Sequence, residues 1–586
     1  MKQYAFFSFL FLFTFNIYST NITDSINVKN CVAFGKAFCY LKYFSPIKNY
    51  KKFDWDSYLV EGLKETAKTG SQKELKSKLT LFFSGMNPDI EFVYSSSINP
   101  ISITQHTDSE NLIYYFNYGC GMESKAVRWN KAPYSTTLWP VAKKTNSILY
   151  SLISERRPYQ ISDSIFLIFR TSTSKTVNFK PKSFPKIDKR VLKNSTDVYN
   201  RIATLIKCWG VFQHFYPYEL DRKSLEIHLE EDIRKTIKEK DYKELYFTTK
   251  HFLSFINDGH VEYYLTAPRN WYSMTYKSQF IPKISTAIID DKIIVTQVDT
   301  SLKSQIYKGD AITKINGLAD SVFIKYKSQF ISASTKGFRN YKVNEMLFKS
   351  MSKDSVVKIE IQRGNEKINT SLTCNTEWPN KQNYASTKPP FQMLHDSIAY
   401  LNLTDPKLTA KLVEKNLSLL NSSKGLIFDL RGYPNFNTDK ILAMLIDSDV
   451  STADFKIPNV NEPNYHDIYC VNSSWKIKAN RKILNKKIIF LSDNTVVSWG
   501  ETVLEIIKRN KIGTIIGEES AGTNGDLCQV DLPIGFIYIT GLKVEVNGQN
   551  PLPVQPDLYC PSISIGDIVN GTDFLLMFAK KYIVNN

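Results

Sequence analysis

Ser498 stands in the stretch IIFLSDNTVVSWGE, between an apolar run, Ile488 to Leu491, and a segment that reads as an amphipathic helix. A serine at a strand-to-helix turn has two chemistries open to it. It can cap the helix, and Ser498 with Glu501 three residues on has the S-x-x-E form of a capping box. It can also be a nucleophile, with its hydroxyl beside free backbone N–H groups and the positive end of the helix dipole. Such N–H groups stabilise a tetrahedral oxyanion, and the N–H of Trp499 is the natural donor. On these residues alone both readings stay open.

A serine nucleophile needs a base, because its free hydroxyl is a poor one. The chain holds seven histidines. His260, in FINDGHVEYY, lies in a short polar turn between a helix and a strand. His214, in QHFYPY, reads as packed among aromatics, and the other five carry no motif.

The elements that must position these groups fall into segments. Residues 1–20 show one lysine, an apolar stretch from Tyr4 to Phe15 and then small polar residues, which is a signal-peptide pattern. This predicts an exported protein, periplasmic or extracellular. An uncleaved N-terminus would instead attach it peripherally to a membrane. Residues 21–90 and 190–270 form a weak internal repeat: FGKAFCYLKYFSPI resembles LIKCWGVFQHFYPYEL, and KELKSKLTLFF resembles KELYFTTKHFL about 170 residues later. Each copy reads as a helix, an aromatic-proline turn and two more helices. Between them, 91–185 alternates apolar and polar residues as a small β domain does, with KPKSFPKIDK as a linker. Residues 275–376 are again β-rich, with a hairpin turning at Arg363-Gly364-Asn365. From 385 to 586 strands alternate with helices, which implies a mostly parallel sheet with its catalytic groups at strand ends. The fold class is multidomain α+β.

Bulk properties agree with several folded domains. The 586 residues suggest three to five of them at roughly 100–200 residues each. The formal charge of +18 is spread along the chain with no run of five or six basic residues. Without a zinc-finger or RNA-binding signature it reads as a solvated surface and not a nucleic-acid site. Eight cysteines occur with no C-x-x-C, so no zinc or thioredoxin-type site is expected, and neither is any other metal or cofactor. Export permits disulfides, but the sequence does not pair them. Nothing in it speaks to oligomeric state.

Five stretches in fixed order carry a resemblance. IYKGDAITKINGLAD matches a PDZ signature at Gly309, Asp310, Ile312, Ile315, Asn316 and Gly317; LIFDLRGYPN, IIFLSDNTVVSWGE, IIGEESAGTNG and PVQPDL follow it. Together they resemble the tail-specific, or carboxyl-terminal processing, serine peptidases, with a core like that of the tricorn protease, over roughly 190–586. The resemblance implies a C-terminal α/β domain of crotonase/ClpP-like fold and a PDZ domain that presents unfolded or C-terminal peptide ends. It implies Ser498 as nucleophile in the form S-x-[AS]-E, with Gly500 as the small third residue. Many members place a lysine base about 25 residues after the serine. Here that position is Thr523, and no lysine lies between Lys511 and Lys543. Tricorn-like members use a histidine ahead of the PDZ segment, which implies His260 as base. The second oxyanion donor comes from the turn after DLRG. Pro434 has no N–H, so Asn435 is expected to donate. Glu501, one helical turn from Ser498, is a candidate for orienting the histidine. The function implied is an exported serine endopeptidase acting on protein or peptide substrates. The alternative is a catalytically degenerate, peptide-binding member of the same family.

Overall fold

The computed structural model describes residues 26–47, 53–87, 89–98, 112–118, 135–141, 155–173, 186, 197–240, 242–265, 280–302, 305–350, 352–377, 388–460, 462–463, 468–483 and 486–585. The signal-like N-terminus and all but one residue of the 180–189 linker lie outside them.

The repeat appears as two sets of three helices. Val28–Phe44, Trp55–Thr66 and Gln72–Phe83 are answered by Val198–Phe215, Arg222–Lys238 and Tyr242–Ser254. The first helix of each set starts behind a short polar cap, Asn27 or Asp197, whose side chain accepts N–H groups of the first turn. Each ends just before a proline, Pro46 or Pro217, which cannot continue a helix. The two sets share one core with Val530, Ile537 and Ile539 of the C-terminal region. His214 is buried there, ringed by Tyr40, Tyr43, Phe44 and Trp209 with centroids 5.2–6.1 Å away.

The strands of 91–185 do not stand apart. Glu91–Tyr94, Ile165–Phe169 and Arg157–Gln160 form one small sheet. Leu112–Tyr118 pairs with Ser135–Val141 and also with Asp454–Val460, far along the chain. An alternating pattern gives a strand its faces but not its edge partner.

Residues 284–374 form an antiparallel sheet with the helices Asp320–Ser328 and Lys336–Met346. The hairpin turn is Gly364-Asn365, since Arg363 pairs with Glu366. The Gly-Asp motif has a structural cause. Asp310, 3% exposed, takes two bonds from Arg363 (2.8 and 2.7 Å) and one from the Tyr307 N–H (2.8 Å).

The C-terminal sheet runs Phe391–Leu394, Ile398–Asn402, Gly425–Asp429, Lys487–Ser492, Thr514–Gly517 and Leu558–Tyr559, parallel except for its first edge strand. Its apolar runs are buried on both faces, as a parallel sheet requires. Leu426, Phe428 and Phe490 meet Val503, Leu504 and Ile507 of the helix Trp499–Arg509 on one side. Ile427, Ile489 and Leu491 meet Leu575, Ala579 and Ile583 of the C-terminal helix on the other. Gly425–Asp429 and Lys487–Ser492 are neighbours, so the turns leaving both strands emerge at the same sheet edge.

Six described cysteines, 31, 39, 208, 374, 528 and 560, are buried free thiols. Among the described residues no helix is long and apolar enough to cross a membrane.

Candidate active site

Ser498 ends the turn after the strand Lys487–Ser492 with φ +57° and ψ −114°. A positive φ is uncommon in a non-glycine residue and marks strain held by its surroundings. The holding contacts are visible: the Ser498 N–H donates to the Thr523 carbonyl oxygen (2.8 Å) and to Glu501 Oε2 (3.3 Å). Ser498 and Glu501 have the outline of a capping box, yet the serine hydroxyl makes no cap hydrogen bond of normal geometry. The Glu501 N–H is taken instead by the Ser498 carbonyl oxygen (3.0 Å). The phenol of Tyr433 faces the Ser498 hydroxyl.

Glu501, expected as an orienting acid, does not reach the histidine. Its fully buried carboxylate takes Ser520 Oγ–H and the Gly522 N–H on Oε1 (both 2.6 Å), and the Thr523 N–H on Oε2 (2.8 Å) along with that of Ser498. Burial pushes its pKa up to about 8, against four donors that pull the other way. Glu501 therefore ties the serine turn to the strap 520–526.

Asn435, expected as the second oxyanion donor, does not serve either. Its N–H already donates to the Leu403 carbonyl oxygen (2.8 Å), and its amide donates to the carbonyls of Leu403, Asp405 and Leu408. It staples the turn from below. The turn itself is held by the DLRG arginine. Arg431 bonds Asp429 (2.9 and 2.6 Å) and Asp573 (3.0 and 2.8 Å). Burial pushes Asp429 up, but Arg431 and Lys388 outweigh it and hold the carboxyl below its usual range. Gly432 adopts φ +115°, and the turn packs on Gly500, where an added Cβ would stand 2.7 Å from Val496 Cγ1 and 3.3 Å from Pro434 Cδ. That approach explains the small third residue of S-W-G-E. Among the described residues the N–H groups of Trp499, Gly432 and Tyr433 have no hydrogen-bond acceptor. Trp499 stacks its ring on Trp475 (6.2 Å).

His260 follows Asp258, whose Oδ1 accepts the His260 N–H (2.9 Å) and whose Oδ2 accepts Tyr216 Oη–H (3.0 Å). The strand Glu262–Tyr264 pairs with Phe536–Thr540, Glu262 opposite Tyr538. Two residues further, the same register sets His260 against Thr540, and His260 Nδ1 lies 2.9 Å from Thr540 Oγ1. Burial lowers the His260 pKa below the ordinary imidazole value; Asp258 opposes this, Lys342 adds to it and Asp526 opposes it. The histidine and serine turns meet through Thr523, which takes the Ser498 N–H on its carbonyl oxygen and the Gly259 N–H on Oγ1 (both 2.8 Å). No hydrogen bond joins Ser498 to His260 among the described residues, and catalytic bonds are often loose in an unliganded enzyme.

Thr523, Thr540, Tyr433 and Asp258 are parts of this arrangement that the sequence reading did not select. Only Thr523 had a signal, as the residue occupying the position searched for a lysine. Among the described residues no cluster of histidine, cysteine, aspartate or glutamate could hold a metal.

Comparison with known proteins follows the same lines. Residues 397–550 match the model of peptidase family S41, and residues 288–373 match one described as Bacteroidetes, Peptidase, S41 family, N-terminal domain. No curated protein matches the chain. Mature CPAF complexed with lactacystin is 13% identical, covering 66% of this chain and 98% of that one, with a TM-score of 0.51; the likeness is one of fold. The photosystem II D1 C-terminal processing protease (17% identical, 63% and 96% covered, TM-score 0.36) also matches. So does a putative peptidase from Parabacteroides merdae (14%, 66% and 96%, TM-score 0.38). The class is thus a mixed α+β, multidomain hydrolase of the serine-peptidase type. Over residues 397–550 the chain matches the S41 peptidases, and it resembles their tail-specific, or carboxyl-terminal processing, group.

Proposed function

We propose that this protein is an exported serine endopeptidase that cuts unfolded or C-terminally presented polypeptides, with Ser498 as nucleophile and His260 as base. One observation carries the reading: Thr523 clips the turn of a strained serine at a helix start to that of a half-buried histidine. With Nδ1–H donating to Thr540 Oγ1, His260 Nε2 carries the lone pair that accepts the serine proton. Threonine thereby fills the orienting role that an acid has in other triads. Attack on the scissile carbonyl gives an oxyanion within reach of the Trp499 N–H and an N–H of the Gly432-Tyr433 turn. His260 then returns the proton to the leaving amine, and water hydrolyses the acyl-enzyme by the same relay.

The 284–374 domain takes the PDZ role, adding a peptide end as a strand, and the C-terminal domain is the crotonase/ClpP-like core. Export rests on residues 1–20. The pH dependence follows from the burial of His260. The rate rises as the ring loses its proton, with a midpoint below the unperturbed value of about 6.5.

The test is labelling of the full chain with a fluorophosphonate, with Ser498→Ala alongside. Labelling at Ser498, lost with hydrolysis of an unfolded protein in the variant, is the expected result. Stability should change by no more than about 1 kcal/mol, the worth of a helix cap. A chain that binds unfolded polypeptide but neither labels nor hydrolyses would establish the degenerate member instead.

A further inference from the structure

Thr523 is 2% exposed and uses every polar group it has. Its N–H donates to Glu501 Oε2 (2.8 Å) and its carbonyl oxygen accepts the Ser498 N–H (2.8 Å). Its Oγ1 accepts the Gly259 N–H (2.8 Å) and shares a bond with Ser334 Oγ (2.8 Å). Three parts of the chain therefore meet on one residue: the serine turn on its backbone, and the histidine turn and the segment 331–335 of the domain matched at 288–373 on its side chain. That segment and the helix after it hold the histidine turn at further points. Ser332 Oγ accepts the Asp258 N–H (2.9 Å), Arg339 donates to Asn257 Oδ1 (2.8 Å), and Lys342 donates to the Gly259 carbonyl oxygen (3.1 Å). Gly259 has no room for a side chain, since a Cβ there would stand 2.8 Å from Thr523 Oγ1 and 2.4 Å from Phe338 Cε1.

We propose that Thr523 is a positioning residue for catalysis, and that its hydroxyl, shared with Ser334, sets the placement of His260 relative to Ser498. The inference rests on the Ser498–His260 reading above. The serine and the histidine are about 240 residues apart and sit on different elements, so neither fixes the other's place. The backbone of Thr523 fixes the first and its side chain the second. A polar clasp does this better than an apolar contact, because a hydrogen bond has a defined length and direction and packing tolerates sliding. Loss of the hydroxyl leaves the Gly259 N–H without its acceptor and frees the histidine turn to move.

The test uses the full chain with Thr523→Val, which keeps the shape, and Thr523→Ser, which keeps the hydroxyl, beside His260→Ala and Ser498→Ala. Displacement of a catalytic group by about 1 Å costs on the order of 10²-fold in rate. We expect kcat in Thr523→Val to fall roughly that far with KM within about 3-fold of wild type, and Thr523→Ser to recover most of it. The pH profile should move as well. A loosened His260 is better solvated, so its pKa rises toward the ordinary value and the acid limb of kcat shifts to higher pH. A merely structural threonine would lower stability without that shift. Unchanged kcat and profile in Thr523→Val, with His260→Ala and Ser498→Ala inactive, would overturn the clasp and leave the catalytic reading standing. An active His260→Ala or Ser498→Ala would overturn both.

Discussion

Replacing Glu501 by glutamine separates a buried tie from a catalytic acid. The carboxylate faces four donors and no acceptor other than the Ser520 hydroxyl oxygen. Three of the donors are backbone N–H groups that cannot turn away. A glutamine amide has one oxygen. With its NH₂ at the Oε1 position, Ser520 can rotate to accept, but the Gly522 N–H, 2.6 Å away, meets another donor. With the amide flipped, the Thr523 N–H loses its acceptor and the Ser498 N–H keeps only the Thr523 carbonyl. At least one buried N–H is unsatisfied either way, whatever the protonation state of the native carboxyl. Such a group costs about 1–3 kcal/mol. We therefore expect Glu501→Gln to lose about 1–3 kcal/mol in urea denaturation. Fluorophosphonate labelling should slow in parallel, because the Ser498 turn and the Thr523 strap are no longer tied. Wild-type stability in Glu501→Gln would refute the reasoning. Wild-type stability with kcat lowered and the pH profile altered would restore Glu501 as an orienting acid.

Two further outcomes concern the frame around the site. Burial lowers the His214 pKa to about 3, so this ring stays neutral in the folded state while the unfolded chain gains a proton below about 6.5. Its contribution is complete above pH 6.5 and is lost as pH falls toward 3; at pH 5 the loss is about 2 kcal/mol. His214→Gln should shrink the difference between denaturation at pH 7 and at pH 5 by that amount, and an unchanged difference would count against the assignment. Asp310→Asn removes the buried charge that Arg363 grips with two bonds. Because Arg363 is about a third exposed, the loss should be about 2 kcal/mol and not the full cost of a broken interior pair; denaturation and limited proteolysis of the 284–374 domain would measure it.

Local pattern in the sequence was enough for the helices of both repeat copies, the Gly-Asp turn, the apolar parallel strands and the serine at a helix start. Each depends on residues within a few positions of one another: caps, prolines, periodicity and φ-tolerant turns. The resemblance carried by the DLRG and S-W-G-E stretches pointed to the peptidase family matched at 397–550, and the Asp-Gly-His turn at 258–260 marked one histidine out of seven. Partners distant in sequence were not legible. The strand Leu112–Tyr118 joins Asp454–Val460 because sheet edges pair by shape and burial, which no local pattern encodes. Asn435 was chosen because Pro434 lacks an N–H, but whether an N–H is free depends on what lies above and below the turn, and Leu403 lies below it. Glu501 has the spacing of a cap or an acid, and only the packed strap 520–523 decides that its carboxylate is a tie. Thr523 stood in the sequence as the absence of a lysine. The fold turns it into the contact between the serine turn and the histidine turn, because a hydrogen bond between elements exists only once both have been brought to the same place.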